Sequence, residues 1–177
     1  MSIIATDLDG TLFKGQTLID GVREGLIEII NEGIEIYYTT NNSSQTPSEI
    51  KNKLEDLLQL NIDVSKIITP LVIFQNLYSD NKLNIFIYGS DNLKKYIKNM
   101  NMNVTSLEHA ELILIGRKEE NNNSEINEII KNVSLGKNIL CLNKDLTFPT
   151  EFGEKAGNGA VVKIIEDELS ISIPTLG

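Results

Sequence analysis

The chain has 177 residues, with 16 Lys+Arg against 25 Asp+Glu, a formal net charge of −9, and 41% apolar to 23% charged residues. That is a globular balance, sufficient for one sizeable core or for a core with a small appended domain. A pI near 4.7 argues against a nucleic-acid binder, which needs a basic face to neutralise phosphates. No apolar run approaches the roughly 20 residues that cross a bilayer, and no early stretch has the pattern of a signal peptide. The lone cysteine, Cys141, cannot form an intramolecular disulfide, which fits a reducing cytoplasm. With His109 the only histidine, a three-His zinc site is excluded.

In chain order, Ile3-Ile4-Ala5-Thr6 is a short branched apolar run that stops at Asp7-Leu8-Asp9-Gly10, the pattern of a buried strand closed by a turn. Val22, Leu26, Ile29 and Ile30 share one helical face, with Asp20 as the expected N-cap and Gly33 just past the end. A second strand is predicted over Ile34 to Thr39, closing on Thr40-Asn41-Asn42-Ser43-Ser44. Thr46-Pro47-Ser48-Glu49 has the spacing of a capping box with proline at the first helical position. Ile50, Leu54, Leu57 and Leu58 continue that helix. A short strand at Ile67-Ile68 leads through Thr69-Pro70 into a helix with Phe74 and Leu77.

Alternation continues with strands at Leu83 to Tyr88, Leu112 to Ile115 and Ile139 to Leu142. Between them lie a helix begun by Ser90 and another carrying Ile126, Ile129 and Ile130. A polar loop from Asn143 to Gly159 precedes a helix at Ala160 to Glu168, and Ile171 to Leu176 reads as a strand interrupted by Pro174. Strand and helix in repeated succession define an α/β protein with a parallel sheet.

Ligands of open parallel sheets bind beyond the carboxyl ends of the strands. Two polar clusters fall there: Asp7-Leu8-Asp9-Gly10-Thr11 and Thr40-Asn41-Asn42. Two carboxylates two residues apart suit nucleophilic attack on phosphorus by one and proton donation by the other. Beside a phosphate they also call for a divalent cation, and magnesium suits such a donor set. A plain Asp-Gly turn is the bland reading of the first cluster, and a capping turn that of the second. A calcium loop does not fit, since its glycine and glutamate positions hold Leu12 and Leu18.

Together these residues resemble the haloacid dehalogenase superfamily, most closely its 4-nitrophenylphosphatase-like branch, in which a large α/β cap is inserted into a Rossmann-like core. Asp7-Leu8-Asp9-Gly10-Thr11-Leu12 is similar to the first motif and Thr40-Asn41-Asn42-Ser43 to the second. Asn143-Lys144-Asp145-Leu146-Thr147-Phe148-Pro149-Thr150 resembles the cap loop, and Ala156-Gly157-Asn158-Gly159-Ala160 the return from cap to core. The resemblance implies Asp7 as nucleophile and magnesium ligand. It implies Asp9 as general acid/base, with its carbonyl on the metal. Thr40, Asn41 and the backbone N–H groups of Leu8 and Asp9 would bind phosphate. Asn143 and Asp145 fall in the cap loop, either as substrate contacts or as stitching of that loop. Because dehalogenases lack an acid at the position of Asp9, phosphate chemistry is the expected branch.

The implied organisation is residues 1–79 as the first part of the core, 80–159 as the cap and 160–177 as a return to the core. The third motif is a lysine in Gly-Lys-Pro. Here Pro174-Thr175-Leu176-Gly177 leads up to that place and the fourth, acidic motif does not follow, so the chain is expected to be truncated and its activity impaired. Its sheet is then incomplete, leaving the Ile3–Thr6 strand at an open edge. Lys163 and Glu166-Asp167-Glu168 read as a solvated helical face, and His109 as structural. The expected function is magnesium-dependent hydrolysis of small phosphorylated metabolites through an aspartyl-phosphate, in a cytoplasmic protein able to dimerise through its cap. The alternative is a pseudoenzyme that binds phosphometabolites without turnover. A phospho-accepting receiver domain is disfavoured, having no place for Asp7-x-Asp9-Gly10-Thr11 or for a cap.

Overall fold

The computed structural model describes residues 2–79, 82–118, 120–150 and 153–177. The chain divides into two compact units, Met1–Val72 and Ile73–Gly177.

The first unit contains β1 (Ile3–Asp7), β2 (Phe13–Lys14), β3 (Thr17–Leu18), α1 (Val22–Asn31), β4 (Glu35–Thr39), α2 (Pro47–Leu58) and β5 (Ile67–Ile68). β1, β4 and β5 form a parallel sheet in that order, with Ile3 opposite Glu35 through to Asp7 opposite Thr39. Leu8, Leu26, Ile36, Tyr38, Leu54 and Ile67 belong to the core that the helices and sheet share. α2 starts as its sequence predicts. Glu49 N–H donates to Thr46 Oγ1 at 3.2 Å, Thr46 N–H donates to the Glu49 carboxylate at 2.7 Å, and Ile50, Leu54 and Leu58 are buried along one face.

Two details differ from expectation. α1 is preceded not by an Asp20 cap but by Gly21 in the left-handed region, φ 79°, with no side-chain cap. The polar stretch after Asp9 folds as the β2–β3 hairpin, turning through Gly15 at φ 60°. Among the described residues β1 is an edge strand, and Ile3 and Ile4 are 61% and 37% exposed.

α3 (Pro70–Tyr78) spans the boundary. The second unit contains β6 (Asn84–Tyr88), α4 (Asp91–Asn99), β7 (Asn103–Val104), β8 (Leu112–Ile115), α5 (Asn123–Ser134), β9 (Asn138–Cys141), β10 (Thr147–Thr150), β11 (Gly153–Ala156) and α6 (Asn158–Leu169). Its sheet is parallel in the order β7-β6-β8-β9, and every residue of β8 is buried. This explains the unbroken apolar run Leu112 to Ile115, since a strand covered on both faces shows no alternation.

After β6 the chain steps out to β7 and then back past β6 to β8, so strand order reverses between β6 and β8. That crevice is filled. A Cβ added at Gly89 or Gly116 would lie 2.8 or 2.3 Å from Leu93 Cδ2, and Ser90 N–H donates to Arg117 O at 2.8 Å across the two loops.

α6 shares a core with the second unit: Val161, Val162 and Ile165 cluster with Ile126, Ile129, Ile139 and Ile173. The Asn143–Gly159 segment is not simply a loop but contains the antiparallel β10–β11 hairpin. Residues 171–176 do not form a strand. Cys141 N–H donates to Pro174 O at 2.9 Å and Leu176 N–H to Cys141 O at 3.1 Å, giving a single bridge, Cys141 to Thr175. Proline has no N–H to extend the ladder.

Candidate active site

In the first unit, parallel pairing of β1 with β4 brings the two polar clusters out at the same carboxyl end of the sheet. Asp7 is the last residue of β1 and is registered with Thr39, directly before Thr40. Beyond Asp7 the chain turns tightly. Leu8 O accepts from Thr11 N–H, Leu12 N–H and Phe13 N–H at 3.2, 2.9 and 3.4 Å, while Gly10 N–H donates to Phe13 O at 2.8 Å. Gly10 sits at φ 86°, a conformation that glycine alone adopts without strain. Leu8 is buried and anchors the turn, so Asp7 and Asp9 on either side of it are exposed. Thr11 Oγ1 donates to Asp7 Oδ2 at 3.2 Å, a contact not anticipated from the motif.

Thr40 is buried, and its hydroxyl oxygen accepts from Asn42 N–H at 3.1 Å, an arrangement in which its own O–H can donate outward. Asn42 Oδ1 accepts from Ser44 N–H at 2.9 Å and Ser44 Oγ at 2.7 Å, which closes the loop leading to α2. Asn41 is exposed at the tip of this cluster. Leu8, Asp9, Phe13, Thr40, Asn42 and Lys53, with Gln45 and Ile50, line a shallow depression. Lys53 was not singled out by sequence reasoning, because a lone lysine on a helix carries no local signal.

The available donors are all oxygens, two exposed carboxylates and the carbonyls of a tight turn, which is the set a hard divalent cation takes. Among the described residues no three His, Cys, Asp or Glu side chains converge. Two carboxylates with turn carbonyls fit a magnesium ion, which commonly takes one or two carboxylates and completes its shell with water and substrate oxygens.

The second unit places Asn143 and Asp145 just beyond β9. Asn143 is buried and Asp145 exposed. Around them the backbone is closely stitched: Cys141 Sγ donates to Asn143 O at 2.7 Å, Gly159 N–H to Asp145 O at 2.9 Å and Gly157 N–H to Leu146 O at 2.8 Å. A Cβ at Gly157 would lie 2.2 Å from Asp145 O, and one at Gly159 only 2.1 Å from Lys144 O, so both glycines are required by contact between backbones. The side chains of Phe148, Pro149 and Thr150 lie outside those described.

Glu166 is not part of a solvated face. It pairs with Lys144 at 2.8 Å and accepts from Ile173 N–H at 2.7 Å. The Lys144 ammonium, then the Ile173 amide, hold its carboxyl below the ordinary 4.5. Lys163 and Asp167 do form an exposed pair at 2.9 Å. Burial pushes the Cys141 thiol up to about 12, so it is not a thiolate nucleophile near neutral pH. His109 is exposed, with Nδ1 2.9 Å from Ser106 Oγ.

A parallel α/β unit whose first strand ends in an exposed Asp-x-Asp-Gly turn beside a Thr-Asn-Asn loop defines a class of hydrolase, and comparison with known proteins agrees. Residues 4–103 match the family model described as haloacid dehalogenase-like hydrolase, and the chain belongs to that family. It is similar to the acid sugar phosphatase of Staphylococcus epidermidis, 27% identical over 173 residues, which cover 97% of this chain and 66% of that protein. Two solved structures share its fold. A p-nitrophenyl phosphatase from Archaeoglobus fulgidus has a TM-score of 0.87 at 19% identity, over 98% of this chain and 67% of the other. A double-mutant thermostable NPPase from Geobacillus stearothermophilus has a TM-score of 0.79 at 25% identity, over 99% and 69%. The chain thus spans just under two thirds of the length of the curated relative, at 66%. Among the described residues no helix is long and apolar enough to cross a membrane.

Proposed function

We propose that this chain carries the catalytic turn and cap of a cytoplasmic phosphomonoesterase acting on small phosphorylated metabolites. The observation that carries the reading is the exposed Asp7-Leu8-Asp9-Gly10 turn at the end of β1, registered beside Thr40. Acid sugar phosphatase and p-nitrophenyl phosphatase, the names of the relatives, point to sugar phosphates and aryl phosphates as the substrates to try first. They lend no support to the non-catalytic alternative.

In this reading an Asp7 carboxylate oxygen attacks phosphorus. The ester P–O bond breaks, and Asp9 gives its proton to the leaving oxygen. Water then attacks the aspartyl-phosphate, returning a proton to Asp9 and releasing inorganic phosphate and free Asp7. Thr40 and Asn41, with the N–H groups of Leu8 and Asp9, hold the phosphoryl oxygens. Asp7 and the Asp9 carbonyl would hold magnesium, which when bound supplies charge neutralisation for the phosphoryl group. Asn143 and Asp145 belong to the cap loop that faces substrate choice, and the cap is the surface through which two copies would associate.

The test is release of 4-nitrophenol from 4-nitrophenyl phosphate with magnesium present. Asp7→Asn is expected to lower turnover by about 100-fold or more. Equal rates for the two chains would overturn the reading.

A further inference from the structure

We propose that Lys53 is a substrate-binding residue of this site, a cation that the Phe13 ring holds on the wall of the Asp9–Thr40 depression to bind the anionic phosphate ester. The inference rests on the phosphatase reading for the nature of the ligand and assigns that site a residue outside its two polar motifs. Lys53 sits two turns into α2, half-buried, with Nζ 3.7 Å from the centroid of the Phe13 ring. Phe13 is itself buried and tied to both sides of the Asp9-Gly10 turn, through Leu8 O and Gly10 N–H. Lys53 and Asp9 line the same depression, with the Phe13 ring between the turn and the ammonium's helix. Its helix is fixed in turn by the Thr46 capping box that follows the Thr40–Ser44 loop.

The nature of Lys53's partner matters. Lys51, on the same helix, is paired with Glu55 at 3.0 Å and presents little net charge. An aromatic face attracts an ammonium through its quadrupole but does not neutralise it. The depression is otherwise lined by one carboxylate, Asp9, and by neutral groups. An incoming dianion would meet Asp7 and Asp9 in a protein of net charge −9, and a held cation at this wall offsets that repulsion.

The experiment titrates inorganic phosphate, with magnesium present, into the full chain and its variants. Lys53→Met keeps an unbranched side chain and loses the charge. It should weaken phosphate about tenfold and flatten the salt dependence, while Lys53→Arg stays within about threefold. The thermal midpoint of both variants should stay near that of the parent chain. Unchanged phosphate affinity in Lys53→Met, or equal weakening in Met and Arg variants, would overturn the inference. Lys53→Gln serves as a second neutral variant if Lys53→Met fails to fold. Normal phosphate binding by Lys53→Met in a chain that loses turnover as Asp7→Asn refutes this proposal and leaves the hydrolase standing. Weak binding by Lys53→Met in a chain whose turnover ignores Asp7→Asn does the reverse.

Discussion

The two units build parallel sheets from the same strand–helix alternation but finish their strand ends in opposite ways. In the second unit, the crevice where strand order reverses is filled by Leu93 against Gly89 and Gly116 and bridged by Ser90 to Arg117. In the first, β1 ends in a turn that buries Leu8 and turns two carboxylates outward. β8, an inner strand of the second sheet, is buried throughout, whereas β1, which ends at Asp7, is an edge strand among the described residues, with Ile3 and Ile4 exposed. A strand end can be used either for packing or for chemistry. Leucine in the crevice commits it to packing, and a hydrogen-bonded Asp-x-Asp-Gly turn leaves it open.

That contrast can be broken most severely at Leu93. Leu93→Ala removes the plug, leaves a cavity against Gly89 and Gly116, and should destabilise the second unit by about 3 kcal/mol in a chemical melt. Phosphate affinity at the Asp7 turn should be unchanged. A milder change tests the open end. Thr46→Ala removes the cap that starts α2 just after the Thr40–Ser44 loop, and should cost about 1 kcal/mol.

The smallest effect concerns pH. Glu166 is held below its ordinary 4.5 by Lys144 and Ile173 N–H, so its contribution is complete above that value and is lost as pH falls through its depressed value. The thermal midpoint should therefore drop on acidification, and drop less in Glu166→Gln. Glu55 and Asp63, also held low, contribute to the drop in both chains, so the difference between them isolates Glu166.

Much of this arrangement is legible in the sequence, for identifiable reasons. The start of α2 is written in four residues because the capping box is a local hydrogen-bond exchange. β8 is legible because complete burial demands an unbroken apolar run. The site clusters are legible because turn chemistry follows directly on strand ends. The β2–β3 hairpin is not, since two-residue strands such as Phe13–Lys14 have no periodicity to detect. Nor is the start of α1, where the left-handed Gly21 takes the place of a side-chain cap. Residues 171–176 look like a strand by composition, but Pro174 limits them to one bridge. Lys53 belongs to neither motif, and its place with Asp9 on one depression goes with its contact to the Phe13 ring, which no single segment records.

The backbone contacts of Gly157 and Gly159 with Asp145 and Lys144 have a consequence for how such a chain can change over generations. The two ends of the β10–β11 hairpin are clamped to each other at its base by Gly157 N–H on Leu146 O and Gly159 N–H on Asp145 O. A hairpin shut at its root is an interchangeable part. Changes between its strands leave those root contacts in place. Selection can then vary the hairpin while the two root glycines stay as they are.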